Sequence, residues 1–217
     1  MAISRFNDQL TGYFMVANGN DVFIDPAQEI RFVSAMKWTT TSKRDTVSFG
    51  SSVGRGKFNT SRPFNAPTTA SAVEPAGRNN ENVFHILYTH AFGYKLGYAL
   101  EALYGYQTNV PANVPGGIVD LRNRPMNAQW YSFANYLTYQ MSDQMGALFR
   151  LEFFNDLNGQ RTGFEGWYVS STLGLTVEVT ESIFLRPEIR YDFNDKSNAF
   201  GGNRSLLMLS NAFVIVW

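Results

Sequence analysis

Apolar residues recur at every second position along most of this chain, and no stretch keeps the helical spacing of three to four. Period two predicts strands. The clearest case is 167–179, where Trp167, Val169, Ser171, Leu173, Leu175, Val177 and Val179 share one face. Tyr168, Ser170, Thr172, Gly174, Thr176 and Glu178 share the other. After the polar turn Thr180-Glu181-Ser182, residues 185–193 set Leu185, Pro187, Ile189, Tyr191 and Phe193 against Arg186, Glu188, Arg190 and Asp192. The same alternation runs through 83–92 and 96–106, which meet at Gly93-Tyr94. Further strands are predicted at 10–18, 29–40, 45–54, 128–141, 145–155 and 205–217. The expectation is about ten strands and no helix.

Strand length and connection length narrow the architecture. The predicted strands run mostly to about 10–13 residues, against ~5–6 for globular strands and ~9–11 for a tilted strand crossing a bilayer. The connections alternate: long at 55–81, 108–126, 156–164 and 194–204, short at 41–44, 93–94, 142–144 and 180–182. Transmembrane barrels alternate in this way, with short periplasmic turns and long extracellular loops. The last strand sets Phe213, Ile215 and Trp217 on one side and stops at the aromatic. That resembles the terminal strand of bacterial outer-membrane barrels, which the barrel-assembly machinery reads. The fold expected is therefore all-β: an antiparallel up-and-down transmembrane β-barrel formed as one domain over 1–217.

Composition agrees with this reading. Charged residues make up 17% of the chain, aromatic residues 15%, and there are 18 glycines. A soluble domain carries ~25% charged residues. The net charge is zero, which argues against a nucleic-acid partner. With no cysteine, disulfide scaffolds, cysteine-ligated zinc and thiol nucleophiles are excluded. No apolar run is long enough for a transmembrane helix. The segment Met1–Asp8 lacks the apolar core of a secretory signal. The expectation drawn from it is that the chain begins inside a longer gene and forms the C-terminal part of a larger barrel, or is a shortened complete one.

Cost assigns the faces. A charge near the bilayer centre on the lipid side costs ~2–4 kcal/mol. The apolar faces should meet lipid, and the faces carrying Glu101, Arg150, Glu152, Glu178, Arg186, Glu188, Arg190 and Asp192 should line a lumen. Trp38, Tyr94, Trp130, Tyr139, Trp167 and Trp217 would form interfacial belts. The mixed signs of the lumen residues suit two roles: a transverse field across a water-filled pore, or an ion-pair ladder that stiffens the wall.

One stretch carries a family resemblance. The run Trp130-Tyr131-Ser132-Phe133-Ala134-Asn135-Tyr136-Leu137-Thr138-Tyr139-Gln140 is followed by Phe149-Arg150-Leu151-Glu152-Phe153. Then come Arg161-Thr162-Gly163 and Leu185-Arg186-Pro187-Glu188-Ile189-Arg190-Tyr191-Asp192. Over 127–193 this resembles the bacterial outer-membrane β-barrel porins of the OmpL-like group. The resemblance implies a protein of the bacterial outer membrane, in contact with its lipid, with neither enzymatic activity nor cofactor. The expected function is passive diffusion of small polar solutes or ions, in a chain that could form a homo-oligomer. A non-conducting structural or adhesin-like barrel is the alternative, and a soluble lipocalin-like carrier a third.

Residues that could carry other chemistry are few. His85 and His90 are the only histidines, and their odd spacing puts them on opposite faces of one strand, so they cannot share a metal. Ser48, Ser51 and Ser52 lack the Gly-x-Ser-x-Gly elbow of a hydrolase. The acidic stretches 20–25 and 155–159 resemble calcium loops but lack the EF-hand spacing, and turn chemistry explains them. The long loop 54–82 carries Arg55, Lys57, Arg62 and Arg78, and is a candidate to fold inward and favour anions.

Overall fold

The computed structural model describes residues 1–18, 30–54, 81–110, 113–114, 118–119, 126–159 and 161–215. Its strands are β1 (Ala2–Arg5), β2 (Leu10–Asn18), β3 (Ile30–Thr39), β4 (Asp45–Gly54), β5 (Glu81–Phe92) and β6 (Leu96–Val110). They continue as β7 (Asn113–Val114), β8 (Ile118–Val119), β9 (Met126–Ser142), β10 (Met145–Asp156), β11 (Gly166–Thr180), β12 (Ile183–Asn194) and β13 (Ser205–Ile215). Eleven of them form one antiparallel sheet in chain order, and β7–β8 is a small hairpin in the connection from β6 to β9. Each strand pairs with the next along the chain, which is up-and-down topology. Among the described pairings β1 and β13 are edges, and no ladder joins them. The strand Ala2–Arg5 was not expected. Four residues are too few to show a period, and the turn that follows uses the Asn7 carboxamide oxygen to accept from the backbone N–H groups of Gln9 and Leu10.

The two faces of the sheet differ in kind. One carries Phe14, Phe32, Phe49, Ile86, Phe133 and Leu173, all exposed. On the other face lie the buried Arg31, Glu81, Gln107, Asp156, Thr172 and Asp192, together with the buried Ala128, Trp130 and Ala134. Polar residues are covered and large apolar residues face outward, the reverse of a soluble domain. Asp45 is the one charged residue on the apolar face of the described strands, at the first position of β4. It is not bare: its carboxylate accepts from the Tyr88 hydroxyl at 2.9 Å and contacts His90 Nδ1 at 2.5 Å. The turn side of the sheet holds this group at the strand end, where a charge costs least.

Glycine shapes the polar face at two points. A Cβ on Gly105 would stand 2.2 Å from the Trp130 indole, and one on Gly50 would stand 2.2 Å from the His85 ring. Each ring therefore lies flat across the glycine of the neighbouring strand. A large side chain is accommodated without projecting far from the wall.

Candidate functional site

Directly paired residues share a face, so the strand registers place every candidate. One row crosses all eleven strands: Arg5, Thr11, Lys37, Ser48, Leu87, Glu101, Ala134, Glu152, Ser170, Asp192 and Leu206. The row beside it toward the short turns includes Thr39, Thr46, Thr89, Ala99, Tyr136, Arg150, Thr172, Arg190 and Met208. The eight residues expected to face a lumen therefore do share one face, the polar one. The charges on it are segregated. Strands β1–β3 supply Arg5, Arg31 and Lys37 with no acid on that face. The acids Glu81, Glu101, Glu152, Asp156, Glu178, Glu188 and Asp192 all lie from β5 onward.

Four of the eight form two pairs, one on each side of β11. The Arg190 Nε–H is shared between the two Asp192 carboxylate oxygens at 2.9 and 3.0 Å, and its Nη2 donates to the Ser170 hydroxyl at 3.1 Å. The Ser170 hydroxyl also donates to Asp192. Arg150 is held more loosely: its Nη2 reaches Thr172 Oγ1 at 3.4 Å and its Nε lies 4.0 Å from Glu152. Both arginine–carboxylate pairs join residues two apart on a single strand, so they run along the wall instead of across it. The other four candidates belong to neither pair. Glu101 is separated from Glu152 by the strand bearing Ala134, roughly 10 Å at ordinary strand spacing. Arg186 and Glu188 lie farther along β12, and Glu178 lines a groove of about 610 Å³ at the short-turn end, beside Gly97, Thr138, Gln140 and Gly146.

The connection between β10 and β11, whose Arg161-Thr162-Gly163 is part of the family resemblance, also reaches the polar face. Asp156 accepts at one oxygen from the backbone N–H groups of Arg161 and Thr162, at 2.8 and 2.9 Å, and from the Thr162 hydroxyl at 3.0 Å. This is the turn chemistry anticipated for the stretch 155–159. Tyr168 closes the loop from β11 by donating to Thr162 Oγ1 at 2.8 Å. Thus held, Arg161 reaches back over β9 and β6 to Glu81 on β5, where its Nη1 forms an ion pair. Its guanidinium carbon lies 5.0 Å from the centre of the Trp130 ring. Gln107 and Ala128, which follow Glu81 in the same row, are fully buried.

One expectation is corrected. Trp130 is not part of an outer belt: it pairs with Asp156 and Gly105 on the polar face and is 3% exposed. A tryptophan in an aromatic-rich run looks interfacial from the sequence, and only the register shows which way it turns. Trp38, Tyr139 and Trp167 do lie on the apolar face, and Tyr94 is in a turn. The histidines fall on opposite faces, His85 over Gly50 and His90 against Asp45. Residues 20–25, most of the loop 54–82 and Trp217 lie outside the described residues, and Phe213 and Ile215 lie on the apolar face of β13.

A family model described as "Putative beta-barrel porin-2, OmpL-like" matches residues 1–216. No curated protein matches the chain.

Proposed function

Because this chain belongs to the OmpL-like family of β-barrel porins, we propose that it forms the wall of a bacterial outer-membrane channel for small polar solutes and ions. The observation that carries the reading is the row that crosses all eleven strands. It sets Arg5 and Lys37 at one end of the arc and Glu101, Glu152 and Asp192 farther along it. Around a water-filled lumen such a row supplies a transverse field. The field orients dipoles and separates the paths of cations and anions, and passage itself is passive. Glu178, Arg186 and Glu188 extend the lining toward the short-turn mouth. Diffusion of this kind needs neither a catalytic group nor a cofactor. Outward, the apolar face meets lipid. The row Phe213–Ile215–Trp217 serves as the signal for the assembly machinery.

A non-conducting barrel is the second reading, favoured by the tight Arg190–Asp192–Ser170 cluster. Those pairs, however, join near neighbours on one strand and run along the wall. Single-channel recording in a planar bilayer separates the two readings. Discrete, reproducible conductance steps are expected, and substitution of Arg150, Arg186 and Arg190 by alanine should move the reversal potential toward cation selectivity. A silent bilayer from protein that migrates as a folded, heat-modifiable barrel would favour the structural role.

A further inference from the structure

We infer that residues 157–159 and 161–165 form a fixed strap across the inner wall, and that Arg161 at its tip is an anion-selecting residue of the channel. The inference rests on the porin reading and adds to it a specific residue and a solute sign. Arg161 is carried by a connection between β10 and β11, yet its partner Glu81 is on β5, three strand spacings away, roughly 14 Å. A loop that merely capped its own hairpin would not reach so far.

Three supports fix the strap. At its root Asp156 gathers two backbone N–H groups and the Thr162 hydroxyl. Midway the Arg161 guanidinium stacks on Trp130, a contact strengthened where water is excluded. At the tip lies the ion pair with Glu81. Trp130 can serve as the platform only because Gly105 leaves room for the indole to lie flat. Gly105 and Trp130 are therefore positioning residues, and Arg161 is the residue a solute meets. The exposures give the sign. The Glu81 side chain is 4% exposed and that of Arg161 36%. The acid is covered and the guanidinium still faces solvent, so an approaching ion senses the positive member of the pair. The solutes favoured are small anions, chloride and carboxylates among them.

The test uses the full chain refolded into lipid vesicles and fused to a planar bilayer under a potassium chloride gradient. Arg161→Gln should shift the reversal potential toward cations and enlarge the conductance step. Gly105→Ala, whose new Cβ collides with the indole, should change both quantities in the same direction while leaving Arg161 in place. Glu81→Gln, which adds no bulk, guards against a folding failure at Gly105. Channels whose selectivity and step size are the same in all three variants would overturn the inference and leave the porin reading intact. An unaltered chain that folds but never conducts would instead overturn the porin reading and the selectivity role with it. Trypsin then still reports on the strap. The Arg161–Thr162 bond should be cut slowly in the folded chain and faster in Gly105→Ala and Glu81→Gln. Equally rapid cleavage in all of them would remove the strap as well.

Discussion

Asp192 illustrates what a buried acid does on a wall of this kind. It is 5% exposed and accepts from both Arg190 and Ser170. Replacement by alanine strands a guanidinium and a hydroxyl together, a loss on the order of 2 kcal/mol. Asp192→Asn keeps an acceptor for Ser170 and should cost less, while removing the charge that neutralises Arg190. Urea unfolding in lipid vesicles, followed by tryptophan fluorescence, should therefore rank the unaltered chain above Asp192→Asn and Asp192→Asn above Asp192→Ala. Equal midpoints for all three would show that the cluster contributes nothing to stability. The face that carries this cluster was legible in the sequence, because alternation along β12 already separates Arg186, Glu188, Arg190 and Asp192 from the apolar face. Its pairing was not. Which acid an arginine selects depends on rotamers and on the serine of the adjacent strand. Trp130 marks the same boundary from the other side. Its neighbour Gly105 is distant in sequence, and nothing local says that a ring will lie across it.

At the scale of elements, period two located ten of the eleven sheet strands to within a few residues, since each is long enough to display the alternation several times over. The strand Ala2–Arg5 is too short for that and was missed. The strap was missed for a different reason. Basic residues point to the loop 54–82, but the inward course of Arg161 follows from a contact three strands away. The local signs of it were Asp156 followed by Thr162, with Gly159 and Gly163 at positive φ of 65° and 87° between and after them. The assignment of the two faces can be tested on one pair of neighbours. Leu137 lies on the apolar face and Thr138 on the polar face, where its hydroxyl reaches Gly97 O at 3.3 Å. Both sit about a half-span from the short turn, near the depth of the bilayer centre. Leu137→Lys should destabilise the folded state by ~2–4 kcal/mol, and Thr138→Lys by well under 1 kcal/mol. If the two substitutions cost the same in a vesicle-refolding titration, the faces are wrongly assigned.

For the whole molecule, the decisive property is the separation of charge along the arc. The overall balance of 18 basic and 18 acidic residues hides it completely. Neutrality counts residues, whereas the field depends on where the registers put them: Arg5, Arg31 and Lys37 on β1–β3, and every acid of the polar face from β5 onward. A field of this origin acts through water and is open to screening. The Debye length falls from about 10 Å at 0.1 M salt to about 3 Å at 1 M. Lys37 is exposed on the polar face and has Thr11 and Ser48 beside it in the row, so Lys37→Gln alters the field without breaking a pair of that row. At 0.1 M salt this substitution should shift the reversal potential toward cations relative to the unaltered channel. At 1 M the difference should vanish, because ions passing more than a few ångströms from the wall no longer sense it. A shift that persisted undiminished at 1 M would mean that Lys37 touches the permeating ion directly, in a lumen narrower than a screened wall implies. A shift absent at both concentrations would remove the β1–β3 side of the arc from the selectivity mechanism and leave the acids and arginines of β5–β12 to act alone.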